Sequence, residues 1–163
     1  MVIFIVSSQK PIRIYDRSRH QEIKVWSEEF YDIDTLSDKD FQIKGQGIFI
    51  ELEDAYENIV INEKAVSISD VDEDHAYYTY VYENFILSVS PINGTIFCIN
   101  LVTSEFETDR GIRVGDHISD VFKKYGLVDE NLLQCYAYYY NHKMLIFYVD
   151  KDERVVDIKL EMI

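Results

Sequence analysis

Three short segments recur in the same order along this 163-residue chain, and that recurrence restricts the fold more than any other feature. Gly47-Ile-Phe-Ile50 matches Gly111-Ile-Arg-Val114. Tyr78-Thr-Tyr80-Val-Tyr82 matches Tyr136-Ala-Tyr138-Tyr-Tyr140, and Ile96-Phe-Cys-Ile99-Asn-Leu101 matches Val155-Val-Asp-Ile158-Lys-Leu160. A helical stretch follows each copy of the first match, at Leu52–Val60 and at His117–Tyr125. The spacing shrinks between the first match and the later two, so the connector after the first helix is the longer one. Three ordered matches point to a duplicated unit of one helix and three strands. The expected fold is therefore α+β: two tandem helix-plus-three-strand repeats forming an antiparallel sheet, helices on one face, preceded by a β-rich extension. The corresponding boundaries are 1–40 for the extension, 41–104 for the first repeat and 105–163 for the second, the repeats packing as one unit.

Local patterns fill in this frame. Ile12/Ile14 and Ile23/Val25 alternate as half-buried strands do, and Met1–Val6 reads as a first strand. Pro91-Ile-Asn-Gly94 has turn chemistry and joins Tyr77–Ser90 to Thr95–Thr103 as a hairpin. A second hairpin joins Lys143–Val149 to Val155–Met162 across Asp150–Arg154. Gly45-Gln-Gly47 lacks the third glycine of a dinucleotide loop and reads as a bend into a strand. The best-signalled helix has Ile118, Val121, Phe122 and Tyr125 on one stripe, with Asp116 as its expected cap and Gly126 at its end.

The segment Thr108-Asp-Arg-Gly-Ile-Arg-Val-Gly-Asp-His-Ile-Ser-Asp-Val-Phe-Lys-Lys-Tyr-Gly126 resembles the pattern T-x-R-G-I-x-[IV]-G-D-S-x-x-D-V-x-x-x-Y-G. That pattern belongs to functionally uncharacterised proteins of Gram-positive bacteria, many of them lipoproteins. They are similar in architecture to the beta-lactamase inhibitor protein and to small outer-membrane assembly lipoproteins. The resemblance implies short helices on one face of an antiparallel sheet and a second face left open for a partner protein. It is most specific over 108–126, looser from Phe41 to Leu160, and absent from 1–40. His117 replaces the serine of the pattern. The resemblance implies interaction modules and carries no catalytic residue across.

Charge narrows the partner. The chain has 16 Lys and Arg against 30 Asp and Glu, a net charge of −14. Residues 27–74 hold three of the basic and fifteen of the acidic groups, giving −12, while residues 1–24 carry +3. Nucleic acid is not an expected partner, because phosphate contacts are made by Lys and Arg. Asp70, Asp72, Glu73 and Asp74 form the candidate acidic surface, read either as a solvated loop or as attraction for a basic protein. No apolar run reaches the ~18 residues of a membrane helix. No lipid-attachment Cys lies near Met1, so the sequence as given reads as cytoplasmic, and as extracellular or cell-surface if a leader has been removed.

The residue types of common catalytic and metal sites are present without their spacing. His20, His75, His117 and His142 form no i, i+4 pair, and Asp70–Asp74 begins like a calcium loop but has His75 where glycine is required. Cys98 and Cys135 sit in apolar, strand-like runs and read as small hydrophobes. No cofactor, no metal and no enzyme activity are expected. Tyrosines carry the candidate partner-binding signal. Tyr78, Tyr80 and Tyr82 share one face of their strand, as do Tyr136, Tyr138 and Tyr140. Two placements fit: an open aromatic face suited to protein recognition, or rings packed under the helices with only their hydroxyls wet. Small neighbours at Thr79, Val81 and Ala137 are of a size to sit beneath a helix, which keeps the open-face placement in play. The expected function is a non-catalytic, inhibitor-like protein-binding module, the alternative being an acidic intracellular immunity or inhibitor protein that neutralises a basic partner such as a nuclease toxin.

Overall fold

The structure, a computed structural model, describes residues 36–59, 61, 64–69, 76–128 and 134–163, and the backbone of two further strands. Those two, β1 (Ile12–Asp16) and β2 (Gln21–Val25), pair as an antiparallel hairpin. The other strands are β3 (Gln42–Gly45), β4 (Ile48–Glu51), β5 (Ser67–Ser69), β6 (Tyr78–Val81), β7 (Phe85–Val89), β8 (Ile96–Leu101) and β9 (Glu107–Thr108). After helix α1 (Ile118–Tyr125) come β10 (Cys135–Tyr140), β11 (Lys143–Val149) and β12 (Val155–Met162). Single 3-10 turns stand at Asp38–Phe41 and Tyr56–Asn58.

This corrects the expected architecture. The protein is mostly β, 47% strand, with one α-helix among the described residues, and is not two helix-plus-strand repeats. The described part of the expected first helix, 52–59, is not helical. Glu53 takes a positive φ of 75°, Ala55 bridges Thr95 as a β-pair, and only Tyr56–Asn58 coil into a 3-10 turn. A helix needs an unbroken i to i−4 ladder, and these residues spend their backbone groups elsewhere. The Glu53 and Tyr56 N–H groups donate to the carbonyls of Ile96 and Gly94.

Seven strands form the main sheet in the order β10-β11-β12-β8-β7-β6-β5. Two chain-consecutive meanders, β6–β8 and β10–β12, therefore meet at the antiparallel β8–β12 pair, with Leu160 opposite Ile99 and Ile158 opposite Leu101. A smaller sheet, β4-β3-β9, draws β9 from beyond the first meander. β3 and β4 are joined by Gln46 and Gly47, both at positive φ (51° and 78°), the geometry of a tight hairpin turn.

The alternation of β12 sets the layers. Val155, Ile158 and Leu160 are buried, whereas Asp157, Lys159 and Glu161 are only partly covered. Register carries that division across the sheet: Ile158 faces Phe147, which faces Tyr136, and Leu160 faces Leu145, which faces Tyr138. Onto this apolar face pack α1 and the small sheet, through Val121, Phe122, Tyr125, Phe41, Ile43 and Ile50. The helix stripe predicted at 118, 121, 122 and 125 is the buried one. Its N-cap differs from expectation: the His117 ring accepts from the Ser119 N–H, while the Asp116 carboxylate accepts from the Arg113 N–H, closing the turn before the helix.

Candidate functional site

Register places the tyrosines on the covered face. Tyr138 pairs with Leu145 and Tyr136 with Phe147, which fixes their rings on the side occupied by α1. Phe122 meets the Tyr136 ring edge-on at 5.1 Å, and Tyr125 lies 5.4 Å from Tyr138. Tyr140 stacks on Phe41 at 6.2 Å. In the other meander, Tyr80 stacks on Tyr56 at 4.1 Å, and the Tyr82 hydroxyl lies 2.7 Å from that of Tyr56. Tyr78 pairs with the buried Val89. Tyr82 and Tyr138 are 4% and 2% exposed, and Tyr78, Tyr80, Tyr136 and Tyr140 pack half-buried against the core. Of the two placements read from the sequence, the rings take the one packed against the core. Thr79, Val81 and Ala137 point to the side away from the helix. Asp70, Asp72, Glu73 and Asp74 lie outside the described residues.

The resemblance segment holds the fold together. Arg110 contacts both carboxylate oxygens of the buried Asp40 through its Nε and its Nη2 (3.0 Å), and donates from Nη1 to the Lys124 carbonyl at the end of α1 (2.6 Å). Its guanidinium also lies 4.8 Å from the Tyr125 ring centre. Thr108 Oγ1 accepts from the Tyr125 hydroxyl (2.9 Å) and the Ile112 N–H (3.1 Å). Gly126, at φ 85°, ends the helix, and its carbonyl accepts from the Tyr138 hydroxyl (2.7 Å). Burial raises the phenols of Tyr125 and Tyr138 far above their ordinary range. Each therefore stays protonated and able to donate.

The sheet face opposite α1 presents a different surface. Across β7, β8 and β12 run Ser88, Cys98, Asn100, Asp157, Lys159 and Glu161, with Ile86 and Val81 on one side. Ile146, Met144 and Tyr148 of β11 lie on the other, and Tyr139 of β10 stands 62% exposed at the margin. Lys159 Nζ pairs with Glu161 (2.8 Å). Burial alone would lower the Lys159 pKa, but the hydrogen bond to Glu161 and the charges of Cys98, Glu161 and Tyr148 together raise it. Asn100 donates from Nδ2 to Asp157 Oδ2 (3.3 Å), which orients the amide. Asn100 Oδ1 and Asp157 Oδ1 are then left without a hydrogen-bond partner. Burial raises the Asp157 carboxyl, and burial pushes the Cys98 thiol up to about 11. A thiol in that state is a poor nucleophile at neutral pH. Cys98 and Cys135 are both free and buried. Among the described residues no cluster of three His, Cys, Asp or Glu side chains could hold a metal ion, and no helix is long and apolar enough to cross a membrane.

Sequence reasoning missed this face, although β12 carries its signal. Asp157, Lys159 and Glu161 alternate against Ile158 and Leu160, and following that alternation through two hairpins assigns the tyrosines to the apolar side.

No protein-family model matches the chain, and no curated protein matches its sequence. Among solved structures it is similar to a cysteine-rich secretory protein from Staphylococcus aureus subsp. aureus Mu50, with 15% identity and a TM-score of 0.43. The match covers 61% of this chain and 38% of that one, so the chain spans well under half of that protein's length.

Proposed function

We propose that the protein is a non-catalytic, inhibitor-like binding module that engages a partner protein through the sheet face opposite α1. The observation that carries this reading is the make-up of that face: the half-covered, mutually hydrogen-bonded Asn100 and Asp157 stand at the middle of a broad sheet with apolar side chains on either side. Around the pair, Ile86, Val81, Met144 and Tyr139 supply apolar contact area, and Lys159 with Glu161 supplies polar recognition. This layout of apolar anchors and a polar strip suits a protein interface. The tyrosines proposed from sequence give this face its rigidity from behind.

The test compares the wild-type protein with the double variant Ile86→Arg/Tyr139→Arg. Both side chains are on the proposed face, so thermal stability should change little. Capture of a defined partner, identified by cross-linking and mass spectrometry, should be lost in the variant. Unchanged capture by the variant overturns the reading.

The net charge of −14 supports a second reading, a basic partner met by electrostatic steering, as an acidic immunity or inhibitor protein would do. Its association rate should fall steeply between low and physiological salt. A rate independent of salt would leave the first reading standing alone.

A further inference from the structure

The turn Pro91-Ile-Asn-Gly94, which the opposite-face reading leaves unused, carries the only Asn-Gly pair in the chain. Every other asparagine is followed by a residue with a side chain, which crowds the backbone nitrogen next to it. Asn93 and Gly94 are both exposed at the tip that joins β7 to β8. Gly94 takes a φ of 70°, and no atom beyond its chain neighbours lies within 4 Å of the place a Cβ would occupy. The approach to its nitrogen is open.

The Asn93 side chain is folded back along the chain. Its Oδ1 accepts from the Thr95 hydroxyl (2.9 Å) and from the Thr95 N–H (3.3 Å). An asparagine held in this way keeps its side-chain carbonyl close to the backbone that follows it. The same two donors point at the oxygen on which negative charge gathers when that carbonyl is attacked, and fixed donors at such an oxygen favour the reaction. Attack by the Gly94 nitrogen closes a ring of five atoms, with proximity supplied by the chain itself.

We propose that Asn93 is a self-modification site, at which the Gly94 backbone nitrogen attacks Asn93 Cγ and the chain rearranges to isoaspartate. In the first step the Gly94 nitrogen bonds to Cγ and gives its proton to water or hydroxide. Asn93 Nδ2 takes up a proton and leaves as ammonia, and a cyclic imide remains. In the second step water adds to one of the two imide carbonyls and opens the ring. Opening at the former backbone carbonyl leaves the chain running through Cβ and Cγ as isoaspartate, and opening at Cγ leaves aspartate.

The turn does not survive this unchanged. The Gly94 N–H donates to the Ser90 carbonyl (2.9 Å), and an imide nitrogen has no hydrogen to donate. The Gly94 carbonyl accepts from the Tyr56 N–H (3.0 Å), and the extra backbone atom of isoaspartate displaces it. Conversion also places a carboxylate where a neutral amide stood. The chain thus has an early and a late covalent form, which differ at the tip of the first meander. The site is independent of the opposite-face interface, so either can fail without the other.

Incubation of the full chain at physiological temperature, with peptide mapping by mass spectrometry at intervals, tests the proposal. Asn93 should convert first among the asparagines, with isoaspartate exceeding aspartate. The rate should rise with pH, because the nitrogen must lose its proton. Gly94→Ala, whose methyl crowds the nitrogen, and Thr95→Val, which removes the hydroxyl donor, should each slow conversion at least threefold. Circular dichroism checks the fold of both, and the wild-type chain carries the test where a variant does not fold. In the converted protein, amide hydrogen exchange at Tyr56 should quicken at least tenfold while exchange in β11 stays unchanged. Three results overturn the proposal: Asn93 intact in the full chain after a peptide of residues 88–97 has converted, earlier conversion of another asparagine, or an unchanged rate in a folded Thr95→Val variant.

Discussion

Arg110 reaches Asp40 across 70 positions of sequence, and Lys143 reaches Asp38 across 105. Neither pairing has a local signature, which is why a reading of motifs found the T-x-R-G-I segment without finding what it holds. Removing one partner of a buried ion pair strands the other charge. Arg110→Ala should therefore cost about 3–5 kcal/mol in urea unfolding. Asp40→Asn, which keeps a carbonyl to accept from the guanidinium, should cost less. Lys143 follows the same logic: burial alone would lower its pKa, but hydrogen bonds to Glu53 and Asp38 raise it. Asp157 behaves in the opposite sense to a paired carboxylate. Its folded pKa is raised, so the stability linked to its proton is complete below about 3.9, the unpaired value, and is lost as pH rises through the folded pKa. Asp157→Asn should accordingly stabilise the fold at pH 7 and lose that advantage near pH 4, as denaturant midpoints across that range will show. A variant less stable than wild type at pH 7 would contradict this assignment.

At the scale of elements, α1 was legible because its four apolar residues fall on one stripe and a glycine ends it. Its cap was not, because Asp116 and His117 are both able to accept, and only the geometry of the preceding turn gives Asp116 to Arg113. His117→Ala should destabilise by about 1 kcal/mol, and His117→Ser should restore most of that loss. The failed first helix has a plain cause. The segment offers no sustained stripe, and the backbone at Glu53, Ala55 and Tyr56 is drawn into pairing with Gly94, Thr95 and Ile96. The tyrosine strands show the limit of alternation as a signal. A period of two groups Tyr136, Tyr138 and Tyr140 correctly but does not say which side the core occupies. Partners decide that, and Leu145 and Phe147 put the rings inside. Tyr138→Ala should thus cost about 3–5 kcal/mol, the range for emptying a large aromatic site, rather than leave stability untouched.

For the whole molecule, the two meanders share one apolar layer, and the small sheet draws strands from both sides of the first meander. Contacts between Asp38 and Lys143 tie the first described residues to β11. Residues 36–163 should then unfold as one unit. Chemical denaturation followed by far-ultraviolet circular dichroism and by tyrosine emission should give coincident transitions. Separate transitions would show that the β8–β12 seam parts first. Two of the three recurring segments fall on comparable strands, β6 with β10 and β8 with β12, but Gly47–Ile50 lies on the small sheet and Gly111–Val114 in the turns before α1. It misled as a repeat of whole units, because a duplicated strand pattern does not oblige the segments between the strands to fold alike.

The two thiols offer a way to watch this sheet come apart. Cys135 sits on the terminal strand β10, and Cys98 sits on β8, three strands inward. Both are covered, so an alkylating reagent can reach either only when its part of the sheet opens. With Cys135→Ser and Cys98→Ser variants to separate the signals, two labelling rates would time fraying at the margin against opening at the centre, with no probe added to the protein.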